Sequence, residues 1–278
     1  MNRPAAATTR ARLAGLAGLA DGAVRPMEAA LLLAALARPE AAIDGYLHYL
    51  DELAQEVRAV AAGSHAEHLA DSLFEVIGRR HRFRGDDRDD DEIDNANLMC
   101  VIDRRRGVPA ALGLLVLDVA RAAGLVAEGL AFPVHFLLRI EDGSGRRLIL
   151  DPSAGGRVME PSDMRALLKV ATGLGAELEP AHYAAMGNRD MVVRLQNETK
   201  LRLLRCGRID RALDVVEATL LLAPDLALLW REAGLMHMRL DNPSGAVAAL
   251  EQFIARTPNA QARARTQTLL AELRSRLQ

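Results

Sequence analysis

His135 and Asp151 are the two residues of this sequence whose types and spacing indicate acid–base chemistry. His135 lies in an otherwise apolar segment that is predicted to be a strand, and Asp151 begins the loop after a predicted strand from Arg147 to Leu150. If these strands pair, the Asp151 carboxylate lies beside the imidazole, holds it in one tautomer and stabilises its charged form. Such a pair is the base and the orienting acid of a cysteine or serine triad. A purely structural buried pair has the same pattern, so both interpretations stay open.

The elements that must position this pair form an α+β unit. Pro109 suits the first turn of a helix that runs to about Ala123 and is apolar on almost every face, so we expect it to be buried on all sides. After Gly124 the apolar residues alternate, which is typical of strands. Three antiparallel strands are predicted, over residues 126–132, 134–140 and 147–150, with a turn from Asp142 to Gly145.

The chain before this unit is predicted to be helical. Its apolar residues recur at helical spacing in three runs, which begin near Pro26, Ile43 and Leu69. Residues 1–24 are expected to be a flexible arm, at most a frayed amphipathic helix, since a faint likeness to a signal peptide lacks a convincing cleavage site. The acidic stretch from Asp86 to Asp94 lacks the glycine and terminal glutamate of a calcium loop, so it is interpreted as a solvated loop.

The C-terminal part contains a repeat. Pro224 and Pro258 are 34 residues apart, which is the period of tetratricopeptide repeats. Small residues at fixed positions let two helices cross closely, and a proline ends the second helix of each repeat. The residues that fit the tetratricopeptide pattern are Trp230, Gly234, Ala246 and Pro258. The predicted domains are therefore the arm 1–24, a first domain 25–188, and an all-helical tail 189–278 that leans on the first domain because two repeats alone are marginal.

Two motifs in this order resemble a known family. Arg105-x-Gly107-Val108-Pro109 precedes the apolar helix, and Pro133-x-His135-Phe136 follows it, before Asp151-Pro152 and a glycine pair. The chain from about residue 28 to 270 resembles the transglutaminase-like, papain-related superfamily, and more narrowly its bacterial Sir-B type with a tetratricopeptide tail. Val134 and Ser153 depart from the family pattern, where Gly and Phe are usual. The resemblance implies a transglutaminase-like core with a small antiparallel sheet.

The resemblance also implies where a nucleophile belongs. In active members a cysteine lies at the N-terminus of the buried helix, where the helix dipole and the imidazole lower its pKa. The matching window here, residues 107–111, reads Gly-Val-Pro-Ala-Ala and contains no nucleophile. Cys100 lies nine residues before Pro109, in a preceding helix, and is interpreted as a small buried hydrophobe. Its use as a substitute nucleophile stays open, whereas Cys206 is interpreted as a filler of core or surface.

Other residues near the motifs are candidates for binding. Asp94 or Asn95 is expected to begin the short helix that carries Cys100, and the asparagines are most simply caps and turn formers. The cluster Arg104 to Arg106 is expected to form salt bridges with the acidic stretch. The candidate binding residues are Asn95, Asn97, Arg105, Pro109, Phe136 and Trp230.

Composition limits the function classes. The net charge is −2 and only 3% of residues are aromatic, so neither nucleic acid nor a membrane is an expected partner. No cofactor and no metal site are predicted, and two cysteines without a framework spacing favour the cytoplasm. The expected function is non-catalytic binding of a protein or peptide, with a regulatory role. The alternative is a hydrolase or acyltransferase acting on amides or esters, in which His135 and Asp151 activate Cys100 or water.

Overall fold

The apolar segment at the centre of the first domain is a buried helix. It forms α6, Pro109–Ala122, in the computed structural model, which describes residues 3–61, 65–86, 92–133 and 135–277. Pro109 occupies its first turn, and Leu115 and Val119 are fully buried. Helices on several sides and strands of both sheets contact α6, as expected of a helix that is apolar on almost every face. Val134 and residues 87–91 of the acidic stretch lie outside the described residues.

The N-terminal part is helical, as predicted. The helices are α1 (Arg3–Ala17), α2 (Pro26–Ala37), α3 (Ile43–Val60) and α4 (Ala66–Phe74), and α4 continues into a π-helical turn, Glu75–Arg80. Helix α1 packs on α2 and completely buries Leu13. This packed helix differs from the flexible arm that was expected over residues 1–24, because the apolar face of α1 finds a partner surface in the tail as well as in α2. No helix of the described residues is long and apolar enough to cross a membrane.

The small antiparallel sheet has four strands in chain order. They are β3 (Val126–Gly129), β4 (Leu138–Glu141), β5 (Arg147–Asp151) and β6 (Arg157–Val158). The prediction of strands over 126–132 and 134–140 was wrong at the inner ends, because the chain leaves the sheet after Gly129. Pro133 has no N–H and therefore cannot donate a hydrogen bond to a neighbouring strand. The N–H of Ala131 donates to the Ala184 carbonyl at 2.9 Å, and not to a strand of the sheet. His135 therefore precedes β4 and is not part of a strand.

Two very short strands connect the start of α6 to the loop after β5. Strand β1 (Arg84–Gly85) pairs in parallel with β2 (Arg106–Gly107), and Gly85 N also donates to the Ser153 carbonyl at 3.3 Å. Helix α5 (Leu98–Arg104) precedes β2. Asn97 caps α5 by accepting from the N–H groups of Met99 and Cys100 at 3.1 and 3.2 Å, so the expectation of Asp94 or Asn95 as the cap was wrong.

The tail is all-helical. Before it, a further helix, α7 (Pro161–Thr172), follows the sheet of the first domain. A Cβ on Gly234 would lie 2.7 Å from Leu250, and Ala246 is fully buried, so small residues do let two helices cross closely. The helices of the tail are α8 (Asn188–Arg205), α9 (Ile209–Leu222), α10 (Ala227–Arg239), α11 (Pro243–Arg256) and α12 (Ala260–Leu277).

The first domain and the tail share apolar contacts. Met191, Val192 and Leu195 of α8 are fully buried in the same cluster as the residues of α6. Ala218 and Leu222 of α9 belong to that cluster too. The tail therefore leans on the first domain, as the marginal stability of two repeats requires. The boundary at residue 188 stays a prediction.

Gly113 of α6 provides a test of this packing. A Cβ added there would lie 2.1 Å from Cδ1 of Phe136, so we expect Gly113→Ala to displace the ring and to lower the free energy of unfolding by about 1–3 kcal/mol. The control is Gly45→Ala in α3, where no atom lies within 4 Å of the added Cβ and where we expect a gain of up to about 1 kcal/mol. Urea denaturation measures both. Equal effects of the two substitutions would contradict the close packing of Phe136 on α6.

Candidate functional site

The predicted His135–Asp151 pair is formed. Asp151 ends β5, and its Oδ2 lies 2.9 Å from Nε2 of His135. The side chains are 20% and 10% exposed, respectively, so the pair is largely removed from water. Since Nε2 faces a carboxylate, a neutral ring would carry its proton there and leave Nδ1 as the acceptor. The arrangement is that of a base and its orienting acid.

The loop after β5 fixes the Asp151 carboxylate. Oδ1 accepts hydrogen bonds from Ser153 N at 2.9 Å, from Ser153 Oγ at 2.7 Å and from Ala154 N at 3.2 Å. Burial raises the pKa of Asp151, but the hydrogen bonds from His135 and Ser153 outweigh burial and lower the pKa below its ordinary value. Asp151 therefore stays charged beside the imidazole at neutral pH.

Sequence reasoning treated Ser153 only as a departure from a family pattern. In the structure its Oγ lies 3.1 Å from His135 Nε2 while it donates to Asp151. Ser153 thus contacts both members of the pair. An aspartate whose carboxylate accepts from the backbone two residues on is a common turn motif, and the Asp-Pro-Ser order is the signal from which this contact could have been predicted.

The pair lies near the start of α6. Phe136, next to His135, packs on Gly113 of α6. On the other side, Ser153 O accepts from Gly85, which pairs with Gly107 immediately before the helix. The helix start itself is buried, and the side chains of Val108, Ala110 and Ala111 are at most 3% exposed. None of these side chains has a group that a base could deprotonate.

Cys100 lies in a different environment. Its sulfur is 3.8 Å from Nη1 of Arg38, and the residue is 9% exposed. Burial raises the pKa of the Cys100 thiol, and the nearby carboxylate of Asp94 raises it further. Cys100 lines a cavity of about 860 Å³ whose described wall includes neither His135 nor Asp151. The structure therefore does not bring Cys100 to the pair.

Asn95 is the candidate binding residue with the most unusual surroundings. It is 1% exposed, and among the described residues neither its Oδ1 nor its Nδ2 has a hydrogen-bond partner. Its backbone carbonyl accepts from Val108 N at 2.8 Å, so Asn95 lies next to the start of α6. An unpaired buried amide is uncommon in a folded protein, and Asn95 is enclosed beside the helix start.

The side chain of Arg105 contacts other residues of the fold. It donates to the His81 carbonyl at 3.0 Å, and its guanidinium lies 4.9 Å from the ring centre of Tyr49. Its backbone is left-handed, with φ of 60°. Arg104, in contrast, forms the predicted contacts with the acidic stretch, at 3.7 Å from Glu92 and 3.4 Å from Asp94.

Trp230 and Pro109 also have roles within the fold. The Trp230 indole donates to the Pro224 carbonyl at 2.7 Å, and the Arg256 guanidinium lies 5.4 Å from the indole centre. Pro109 fills the first turn of α6. Neither contact by itself points to a ligand, so their roles in binding stay predictions.

Comparisons with known proteins identify the family of the chain. A family model described as the transglutaminase-like superfamily matches residues 44–197, and a tetratricopeptide repeat model matches residues 200–271. A UPF0162 protein of Xylella fastidiosa (strain Temecula1) is 30% identical over 59% of this chain and 59% of its own length. A UPF0162 protein of Vibrio cholerae is 26% identical over 85% of this chain and 88% of its own. Protein SirB1 of Salmonella typhimurium is 26% identical over 57% and 58%. The predicted resemblance is confirmed.

Removal of the Asp151 carboxylate tests its anchoring role. Asp151→Ala leaves the N–H groups of Ser153 and Ala154 and the imidazole without their acceptor, so we expect a loss of about 1–3 kcal/mol in the free energy of unfolding. Urea denaturation at pH 7 measures it. The control, Asp225→Ala, removes an exposed carboxylate and should change the value by less than about 0.5 kcal/mol. A similar small effect at position 151 would contradict the anchoring role.

The lowered pKa of Asp151 sets the pH dependence of this contribution. A carboxylate with a lowered folded-state pKa stabilises the fold above its ordinary pKa of 3.8, and the stabilisation is lost as the pH falls through the lowered value. We therefore expect the stability difference between the native protein and Asp151→Asn to shrink below about pH 4. Denaturation curves from about pH 2 to about pH 5 measure it. A difference that grows as the pH falls below about pH 4 would be the opposite result.

The raised pKa of Cys100 predicts slow alkylation. In a Cys206→Ser background, Cys100 should react with iodoacetamide more slowly in the native protein than in urea, because it is buried and protonated at pH 7. The native rate should rise with pH. Mass spectrometry follows the modification. A native rate above that of the unfolded chain would indicate an activated thiolate.

Proposed function

Because the chain belongs to the transglutaminase-like superfamily, we propose that it is a non-catalytic protein that binds a peptide or protein partner on a core without a nucleophile. The observation that carries the proposal is the start of α6. A base and its orienting acid lie near it, but residues 107–111 contain neither a thiol nor a hydroxyl. An imidazole–carboxylate pair accelerates acyl transfer by activating a neighbouring nucleophile, so without one the pair has nothing to deprotonate except water.

The proposal assigns the retained site a binding role. His135 and Asp151 form a polar pair in a mostly apolar setting, and the unpaired amide of Asn95 lies by the same helix start. Few polar groups in an apolar surrounding are typical of ligand sites. Tetratricopeptide repeats suggest protein partners. We place this role in the cytoplasm, where reducing conditions keep thiols unoxidised, and we propose that partner binding is regulatory.

A hydrolase is the second candidate, and one observation favours it. Asp151 lies 2.9 Å from His135 and its lowered pKa keeps it charged, so the ring has the support that a general base needs. In this alternative His135 would take a proton from water that attacks an amide or ester, or from Cys100 after a rearrangement that moves the thiol. The raised pKa of Cys100 and its contact with Arg38 weigh against the thiol.

An activity assay separates the two candidates. We expect the full chain to show no hydrolysis of p-nitrophenyl esters or peptide amides above background, and no incorporation of an amine into glutamine peptides. The matched variant is His135→Gln, which removes the base but keeps a polar side chain of similar size. Turnover in the native protein that His135→Gln abolishes would overturn the non-catalytic proposal, and its further loss in Cys100→Ser would identify the nucleophile.

A further inference from the structure

The cavity of about 860 Å³ lies where the first domain meets the tail. Its wall is formed by α1, α2, the segment from Glu92 to Arg104, α8 and α9. Clefts between domains with volumes of about 300–1,000 Å³ are typical of ligand sites. Apolar side chains, among them Leu36, Leu203 and Val215, share the wall with charged ones. This cavity is separate from the His135–Asp151 pair.

Gln196 is the first sign of a ligand. It lies on α8, lines the cavity and is only 9% exposed. No hydrogen bond joins its side-chain amide to another described residue, and the amide is not one of the fully buried polar atoms that lack a partner. It can therefore donate to and accept from a group in the cavity without breaking a bond within the chain. A peptide group offers both at once, since it has one N–H and one carbonyl.

The charges of the wall are divided. On the side of the first domain, the carboxylates face cations of the chain itself: Asp103 lies 2.6 Å from Arg38, and Arg104 lies between Glu92 and Asp94. These acidic groups are therefore compensated to a large extent.

The opposite side carries uncompensated positive charge. Arg10 of α1, and Arg208 and Arg211 at the start of α9, line the cavity, are exposed and have no ion-pair partner among the described residues. Helices α1 and α9 are in contact, so the three guanidinium groups belong to one wall. Among the described lining residues of this side, Asp214 is the carboxylate without an ion-pair partner, and it lies one helical turn from Arg211, so it offsets part of the positive charge. Arginine is the side chain best suited to bind carboxylates through two hydrogen bonds.

We propose that this cavity binds an extended acidic peptide segment of a partner protein. Its carboxylates contact Arg208, Arg211 and Arg10, a peptide group pairs with the amide of Gln196, and its apolar side chains lie against Leu36 and Leu203. Free small anions match the arginines but leave the amide and the apolar wall unused. The inference goes beyond the proposed function, which assigns binding to the His135–Asp151 site: it adds a second binding surface, with its own partner chemistry, at the junction with the tail.

Selection from a random dodecapeptide library on the full chain tests the proposal. We expect the bound pool to be enriched in peptides that combine Asp or Glu with Leu, Ile or Val. The probe for affinity is an enriched peptide labelled with fluorescein, measured by anisotropy. Binding should weaken as salt rises, because exposed charge contacts are screened. Citrate at the same carboxylate concentration should compete poorly, and efficient competition would indicate a small-anion site and overturn the proposal.

Variants of the wall locate the site. Arg208→Glu with Arg211→Glu should weaken binding by about tenfold or more. The matched control is Arg231→Glu, which reverses an exposed arginine of α10 that does not line the cavity and should leave the affinity unchanged.

Gln196→Leu provides a readout that a folding defect cannot imitate. We expect about three- to tenfold weaker binding with a melting temperature that does not fall, since leucine is a good helix former and Gln196 makes no hydrogen bond within the described chain that the substitution would remove.

The outcomes separate this inference from the proposed function. Binding that is unaffected by the wall variants, or a pool without acidic enrichment, overturns the cavity assignment and leaves the proposed binding function standing. Absence of any enrichment together with turnover that depends on His135 overturns both.

Discussion

The burial of α6 on almost every face is the constraint on which the rest of the structure depends. A helix with apolar residues all round cannot lie on a surface, so the chain must supply a cover for each side. Helices α2, α3 and α8 and strand β3 provide this cover. The helix start is enclosed as well, by the pairing of β1 with β2 and by the chain around Phe136. The position of the acid–base pair follows from this enclosure.

The start of α6 is enclosed but has no nucleophile, and this changes what the retained His135–Asp151 pair does. Asp151 accepts three hydrogen bonds from its own loop and one contact from His135. Three of the four groups that hold it therefore belong to the loop, and the imidazole is the fourth. A carboxylate that is so well satisfied contributes to the local structure whether or not chemistry takes place. This explains how the geometry of a triad persists in a chain that has no thiol at the helix start.

The sequence predicted the features that depend on local periodicity or on strand pairing. The apolar run after Pro109 predicted α6, and the order of His135 and Asp151 around paired strands predicted their contact. The repeat spacing predicted the tail. Prediction from the sequence failed where a single residue overrides a periodic pattern. Pro133 is such a residue, because the chain has already left the sheet there and His135 is not part of the strand. Two-residue strands such as β1 leave no periodicity to detect. The cavity could not be predicted either, because Arg10, Cys100 and Arg208 are brought together only by tertiary packing.

Helix α8 has one consequence for the molecule as a whole. Met191 and Leu195 complete the core around α6, while Leu203, near the other end of the same helix, lies in the core of the repeats. A single helix thus contributes to both hydrophobic cores. The two regions are consequently not modules that can be exchanged between proteins, because separating them would expose the apolar residues that α8 gives to one core or to the other.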